Sequence, residues 1–228
     1  MDENDSGKTW ESQRAAPSAS ARAQLRAATD TVHRRLHVHR SFAALVSGQI
    51  NRPAYRVLLA RLLGFHEPLE KRLFATPWQT MFGLDMGERR RVNSLIEDLA
   101  DLQMTAEHIR MLPRIPAALL PILDTPGKFL GCLYVREGAT LGGRVLSQKL
   151  DLLLRPEWLD HKDVRGRRFL TGMNGDPVRW SKLCGVFEDK TWISLIPDMI
   201  LGATETFAAL ECWLDGLADV VEPNTRGQ

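Results

Sequence analysis

Two histidines one helical turn apart, His33 and His37, are the first residues in this chain whose type and spacing could do chemistry. They lie in a run whose apolar residues recur at helical spacing, and His33 directly follows the apolar Val32. A neutral imidazole is a good ligand for metal ions, including the iron of haem. His33 is therefore a candidate axial ligand for haem iron, or else a histidine that fills a surface or core position. A zinc-protease site is not predicted, because Arg34 replaces the glutamate of that motif and a third ligand is missing.

Glycines interrupt a second helical run, which extends from Pro126 to about Leu154. Gly138, Gly142 and Gly143 lie inside it, and each interior glycine costs about 1 kcal/mol of helix stability relative to alanine. Gly138 and Gly142 are four residues apart, so they share a helix face that carries no side chain. Such a face indicates close packing against another helix, a break into two helices, or a bent helix that lies against a flat cofactor. The segment is not a phosphate-binding loop, since it lacks Gly-Lys-Ser/Thr.

Arginines supply the positive charges that could bind anions. Arg26 lies seven residues before His33 and so on the same helical face. It would either pair with a carboxylate of a group bound at His33 or point into solvent. Two basic clusters follow, at 89–91 and between 165 and 168. They indicate either a solvated face or a docking patch for an acidic partner protein.

Helices must position these residues, because apolar residues recur at helical spacing and strand-like alternation is nearly absent. The sequence predicts an all-α domain at 20–221, with six to eight helices around one core, between disordered tails at 1–19 and 222–228. Ser20 and Asn51 are the predicted N-caps of helices that run to about Leu36 and to Phe74. Further helices are expected at 87–102 (with Val92, Leu95, Ile96 and Leu99 facing inward), at 126–154, from Asp176–Pro177 onward and at 195–217, with a proline-rich connection between 113 and 126.

The composition is ordinary for a soluble globular protein. The chain has 228 residues, 44% of them hydrophobic and 25% charged, and its formal net charge of +2 is too small to indicate nucleic-acid binding. Three cysteines without a Cys-x-x-Cys motif predict no disulfide framework and favour the cytoplasm. We expect no membrane association, since no apolar run approaches the roughly 20 residues of a spanning helix and no signal peptide is evident.

These segments, in this order, resemble the haem oxygenase family. The likeness is greatest to bacterial members that supply biliverdin, including those paired with bacteriophytochromes. The most specific part is the segment 130–143, with the sequence LGCLYVREGATLGG, which is similar to the family's distal helix. The other resembling parts are LRAAT at 25–29, HRRL at 33–36, the segment 55–69, FLTG at 169–172, Trp180, Thr206–Phe207 and Trp213–Leu214, so that the likeness covers roughly residues 21–217.

The resemblance implies a role for each candidate residue. His33 would be the proximal ligand of the haem iron, and Arg26 would contact a haem propionate. Gly138 and Gly142 would let the distal helix bend close over the haem, with Gly143 beside them.

The distal helix departs from the family pattern at one position. Mammalian-type members carry an aspartate that orders the distal water, and this sequence has Ala139 there. Thr140, Glu137 and backbone carbonyls are the candidates to hold that water instead. We therefore expect Thr140, with the two glycines at 138 and 142, to be the catalytic positions.

The resemblance also implies a reaction. The protein would cleave haem, as substrate and cofactor, with O2 and external electrons to biliverdin, CO and iron. Because the sequence has no flavin or dinucleotide fingerprint, the electrons would come from a ferredoxin or a flavoprotein reductase. A bacteriophytochrome is a candidate receiver of the biliverdin. Two alternatives stay open: a haem carrier or sensor without turnover, which Ala139 favours, and a helical interaction module whose glycines serve close packing.

Overall fold

The computed structural model describes residues 20–154, 164–172 and 177–216, and every regular element in these ranges is a helix. The predicted all-α class is therefore confirmed. The two predicted tails, the predicted domain boundary at 221 and the predicted helix start at Asp176 lie outside the described residues.

Eleven α-helices occur in the described ranges, more than the six to eight that the sequence predicts, because several helical runs are split. The helices are α1 (Ala21–Val38), α2 (Arg40–Val46), α3 (Arg52–Phe74), α4 (Trp78–Met81), α5 (Val92–Asp101), α6 (Ala106–Met111), α7 (Pro126–Gln148), α8 (Asp151–Leu154), α9 (Arg168–Thr171), α10 (Pro177–Glu188) and α11 (Ile196–Asp215). Short 3₁₀ helices occupy Gly87–Arg89, Ala117–Leu119 and Lys190–Leu195.

The starts of the long helices follow from side-chain caps. The hydroxyl of Ser20 accepts a hydrogen bond from the backbone N–H of Ala23, and the amide oxygen of Asn51 accepts one from Ala54 at 2.9 Å. Each bond satisfies a backbone donor that the first helical turn leaves without a partner. Thr125 caps α7 in the same way. Ser20 and Asn51 were both predicted as caps, and both predictions are confirmed.

Two predicted helices are shorter than the sequence indicates. The expected helix at 87–102 is a 3₁₀ turn followed by α5, because the backbone N–H of Arg91 donates to the carboxylate of Glu70 at 2.9 Å instead of continuing a helix. Ile96 was expected to face inward but is 38% exposed, since the buried stripe of α5 runs through positions 92, 95 and 99. The run from Pro126 ends at Gln148, beyond the glycines, so the glycines do not break α7.

The centre of the fold is a close contact between α7 and α11. A Cβ atom added at Gly131 would overlap the backbone of Met199, and one added at Gly202 would overlap the backbone of Lys128. The backbones of the two helices can touch only because these positions carry no side chain. Helix α1 packs on α11, and α5 packs on α3. Two hydrophobic clusters result, one built mainly from α1, α7 and α11 and one mainly from α3 and α5.

The short helix α9 is held by residues distant from it in sequence. The buried carboxylate of Asp98 accepts hydrogen bonds from the backbone N–H groups of Arg168 (2.8 Å) and Phe169 (2.9 Å). The hydroxyl of Tyr55 donates to the carbonyl of Gly166 at 2.7 Å. Helices α5 and α3 therefore fix α9 against α7.

One segment is apolar enough to span a membrane by length and composition, contrary to our expectation. An 18-residue window within residues 190–215 has a mean hydropathy of 1.3. This segment contains α11, which contacts α7 and α1 and buries Met199, Ala203 and Leu214. One face of α11 lies in the hydrophobic core, and 33% of the residues in that window are buried.

Candidate active site

A cavity of about 420 Å³ is lined by α1, α3, α7 and α11, with contributions from α2, α9 and α10. Its volume lies within the range of about 300–1,000 Å³ that is typical of pockets for small ligands. Most of the lining is apolar, and Leu36, Phe65, Leu69 and Phe207 belong to it. Residues of both hydrophobic clusters contribute to the lining, so the cavity lies where the two clusters meet.

His33 lines this cavity from α1. Its ring lies edge-on to the rings of His37 and Phe207, at centroid distances of 4.6 and 6.3 Å. Burial, and next to it the charge of His37, lowers the pKa of His33 below its ordinary value of 6.5. The ring is therefore neutral at pH 7, which is the form that binds metal ions.

The glycines of α7 line the same cavity but have two different environments. A Cβ atom at Gly142 would meet nothing within 4 Å, and one at Gly138 would meet only the ring of Trp180 at 3.9 Å. A Cβ atom at Gly143 would instead lie 2.6 Å from the carbonyl oxygen of Leu170. Gly138 and Gly142 thus leave an open, side-chain-free wall, whereas Gly143 allows close packing of α9. Close packing, one of the interpretations of these glycines, is therefore observed at Gly143, whereas Gly138 and Gly142 leave the wall open.

Thr140 does not lie among the residues that line the cavity. Its side chain packs against Gly172 at the end of α9, and its hydroxyl has no hydrogen-bond partner in the described part of the chain. Glu137 is also absent from the lining; it is 3% exposed and lies 3.5 Å from the Arg89 guanidinium. Helical geometry explains both findings. Residue 137 is on the face of α7 opposite to Ala139 and Gly142, and residue 140 lies beyond the edge of the face that lines the cavity.

Two polar residues that line the cavity, His66 of α3 and Arg136 of α7, were not predicted. His66 is 5% exposed, and its Nδ1 atom is buried without a hydrogen-bond partner in the described ranges. Burial, and after it the positive charges of Arg91 and Arg136, holds the pKa of His66 well below 6.5. Arg136 is 1% exposed and pairs with Glu70, while its Nε and Nη1 atoms have no partner among the described residues.

The sequence did carry a signal for both residues. His66 lies four residues after Leu62 and three after Leu63, on the buried stripe of α3. Arg136 lies three residues after the buried Leu133 of α7. A polar side chain at a core position of a helix is rare enough to indicate a site.

The basic cluster at 89–91 is not a docking patch. Arg89 and Arg91 are buried, with exposures of 1% and 4%. Arg91 donates hydrogen bonds to the backbone carbonyls of Arg136 (3.1 Å) and Phe169 (2.6 Å). Both the solvated-face and the docking interpretation are therefore wrong for these two residues. Their buried guanidinium groups instead contact the helices around the cavity. In the second cluster, Arg168 pairs with Glu97, Asp98 and Asp101.

Arg26, the predicted propionate contact, also lines the cavity. It is exposed, and it lies on α1 two turns before His33. The structure therefore brings five predicted residues to one cavity, namely Arg26, His33, Gly138, Gly142 and Gly143.

Comparison with known proteins decides the family. Residues 19–180 match the model of the family described as "Heme oxygenase". The chain belongs to the haem oxygenase family. A heme oxygenase from Xanthomonas campestris pv. campestris (strain 8004) is 31% identical over 170 residues, which are 72% of this chain and 91% of that protein.

A solved structure shares the fold of this haem oxygenase family member. The crystal structure of heme oxygenase-1 from the cyanobacterium Synechocystis sp. PCC6803 in complex with heme superposes with a TM-score of 0.61. The likeness covers 89% of this chain and 94% of that one at 16% sequence identity. At this identity the likeness establishes the helical architecture, and the roles of individual residues have to be argued from the site.

Proposed function

We propose that this protein binds haem in the cavity between α1 and α7 and cleaves it, with O2 and external electrons, to biliverdin, CO and iron. The observation that carries the proposal is that His33 and the side-chain-free face of Gly138 and Gly142 line one cavity. Two independent features that a haem site needs, a neutral imidazole and a flat wall, thus meet in a mostly apolar pocket.

The residues present fit a bound haem. His33, which is neutral at pH 7, would ligate the iron. The exposed guanidinium of Arg26 would pair with a propionate, for which arginine is well suited. Gly138 and Gly142 would face the macrocycle and leave room for a small ligand on the iron. When bound, haem supplies both the iron that reacts with O2 and the carbon framework that is oxidised.

His66 and Arg136 would hold the ordered water that Ala139 cannot bind. Ala139 lines the cavity with a methyl group only, and neither Thr140 nor Glu137 reaches the lining. His66 offers a buried, neutral ring nitrogen without a partner, and Arg136 offers unpaired N–H donors. A buried polar group without a partner costs about 1–3 kcal/mol, which hydrogen bonds to water in the cavity would recover.

The electrons would come from a separate ferredoxin or flavoprotein reductase, since the sequence has no flavin or dinucleotide motif. The burial of Arg89 and Arg91 leaves exposed cations elsewhere, such as Arg22 of α1 and Arg56 of α3, to attract that partner. We place the reaction in the cytoplasm, consistent with three cysteines that form no disulfide. A bacteriophytochrome remains our candidate receiver of the product.

A haemin titration followed by turnover tests the proposal. Haemin added to the wild-type protein should give a Soret band that shifts on binding, and addition of a reductant and O2 should replace that band with the absorbance of biliverdin. His33→Ala should lose the binding spectrum, whereas His108→Ala, which changes an exposed histidine of α6, should behave as wild type. Stable binding without loss of the Soret band would favour the carrier or sensor instead, and a spectrum that His33→Ala leaves unchanged would refute both.

A further inference from the structure

His37 has no task in the proposed reaction, although it lies beside the proposed haem ligand. Both histidines are on α1, one turn apart, and both line the cavity. Both residues are partly accessible to solvent, and the planes of their rings are inclined at 63° with a centroid distance of 4.6 Å. No hydrogen bond to either ring occurs among the described residues. Two imidazoles are therefore within reach of each other with their nitrogen atoms uncommitted.

The distance between the rings matches that of two ligands on one ion. A ring nitrogen binds a transition metal at about 2.1 Å, which places the ring centroid about 3.2 Å from the ion. Two such rings, separated by about 90–109° around the ion, have centroids about 4.5–5.2 Å apart. The observed 4.6 Å falls in this range. Rotation of the two side chains would bring both nitrogen atoms onto one ion without a change in α1.

We propose that His33 and His37 form a bidentate site for a divalent first-row transition metal ion in the haem-free protein. Imidazole suits iron, nickel, copper and zinc. The described residues contain no group of three His, Cys, Asp or Glu side chains that could hold a metal, and Asp30 is paired with Arg34 at 2.7 Å. Water completes the coordination, so the ion exchanges readily and is not a permanent structural metal.

We assign this site to the iron that the proposed reaction releases, and this assignment rests on the proposed function. Iron(II) that is freed when the haem ring opens is already next to His33, and His37 supplies a second nitrogen one turn away. The next haem needs His33 as its own ligand. Binding of metal and binding of haem are therefore mutually exclusive, and entry of a new haem displaces the ion.

Calorimetric titration of the haem-free protein with nickel(II) tests the site. Loss of even an outer partner of a metal site costs about 10–100-fold in affinity, so loss of a ligand should cost at least about 10-fold. We expect one nickel(II) per chain in the wild type, and at least about 10-fold weaker binding in both His37→Ala and His33→Ala. His108→Ala should bind as the wild type does. Equal nickel(II) affinity in the wild type and His37→Ala would overturn the proposal.

Two additional titrations separate this proposal from the proposed function. Haemin should displace nickel(II) from the wild type, and anaerobic iron(II) should compete with it; absence of competition by iron(II) would overturn the assignment to iron. If nickel(II) binding depends on His37 but no His33-dependent haem spectrum forms, the metal site stands and the haem function fails. If the wild type degrades haem while nickel(II) binding is independent of His37, the function stands and the metal site fails.

Discussion

Two neighbouring glycines of α7 should respond in opposite ways to the same added methyl group. A Cβ atom at position 142 would meet nothing within 4 Å, whereas one at position 143 would lie 2.6 Å from the carbonyl oxygen of Leu170. Gly142→Ala therefore adds a residue that favours the helix without any clash. Gly143→Ala adds the same residue but forces α9 away from α7.

The size of the difference follows from these contacts. Alanine in place of glycine inside a helix stabilises it by about 0.8–1.0 kcal/mol, and this gain is common to both variants. Overpacking against a fixed backbone atom costs about 1–3 kcal/mol and applies to Gly143→Ala alone. We therefore expect Gly142→Ala to be more stable than Gly143→Ala by about 1–3 kcal/mol. For a domain of this size, 1 kcal/mol corresponds to about 2–4 °C, so the Tm values should differ by about 2–12 °C.

Urea and thermal unfolding of the two haem-free variants measure this difference, with the wild type as reference. Equal m-values would show that the same cooperative unit unfolds in each protein. A third variant, Gly142→Phe, should keep its stability but raise the Kd for haem at least about 10-fold, because its ring would enter the cavity. Equal stabilities of Gly142→Ala and Gly143→Ala, or the reverse order, would refute the assignment of the open wall to Gly142 and of helix packing to Gly143.

The buried polar residues give two more predictions. The folded-state pKa of His66 is lowered well below 6.5, so folding requires the neutral ring. The free energy of unfolding is therefore unaffected by this group above pH 6.5, and it decreases by about 1.4 kcal/mol for each pH unit below 6.5. Urea unfolding at pH 7.0 and 5.0 should show a smaller acid loss for His66→Leu than for the wild type, and equal losses would contradict this. Arg136→Met should cost about 3–5 kcal/mol by leaving the buried carboxylate of Glu70 without its charged partner. The double variant with Glu70→Gln should recover much of that stability in the same assay, and a double variant no more stable than Arg136→Met would count against the pairing.

The parts of the fold that local sequence determines were predictable. A cap such as Ser20 or Asn51 acts on backbone groups within three residues, so its effect is visible in the sequence. The spacing of apolar residues identified the long helices for the same reason. The segment 130–143 was specific enough to indicate the family and to predict that its glycines belong to the site.

The parts that depend on distant contacts were not predictable. Arg91 appears in the sequence as one of three adjacent arginines, but its partners are the carbonyls of residues 136 and 169. Thr140 was expected to hold the distal water in place of the aspartate that Ala139 replaces, and only its packing against Gly172 shows that its side chain lies outside the cavity lining. His66 and Arg136 are exceptions, because the spacing of apolar residues in α3 and α7 places each of them at a core position.

The way in which α9 is anchored has a consequence for how this protein can be altered. Asp98 and Tyr55 bind the backbone of residues 166–169 directly, and these bonds do not depend on the chain that enters or leaves the segment. Phe169 and Leu170 therefore keep their places in the cavity through α3 and α5, two helices that are distant from them in sequence. A substitution at Tyr55 or Asp98 can reshape the cavity, although neither side chain lines it.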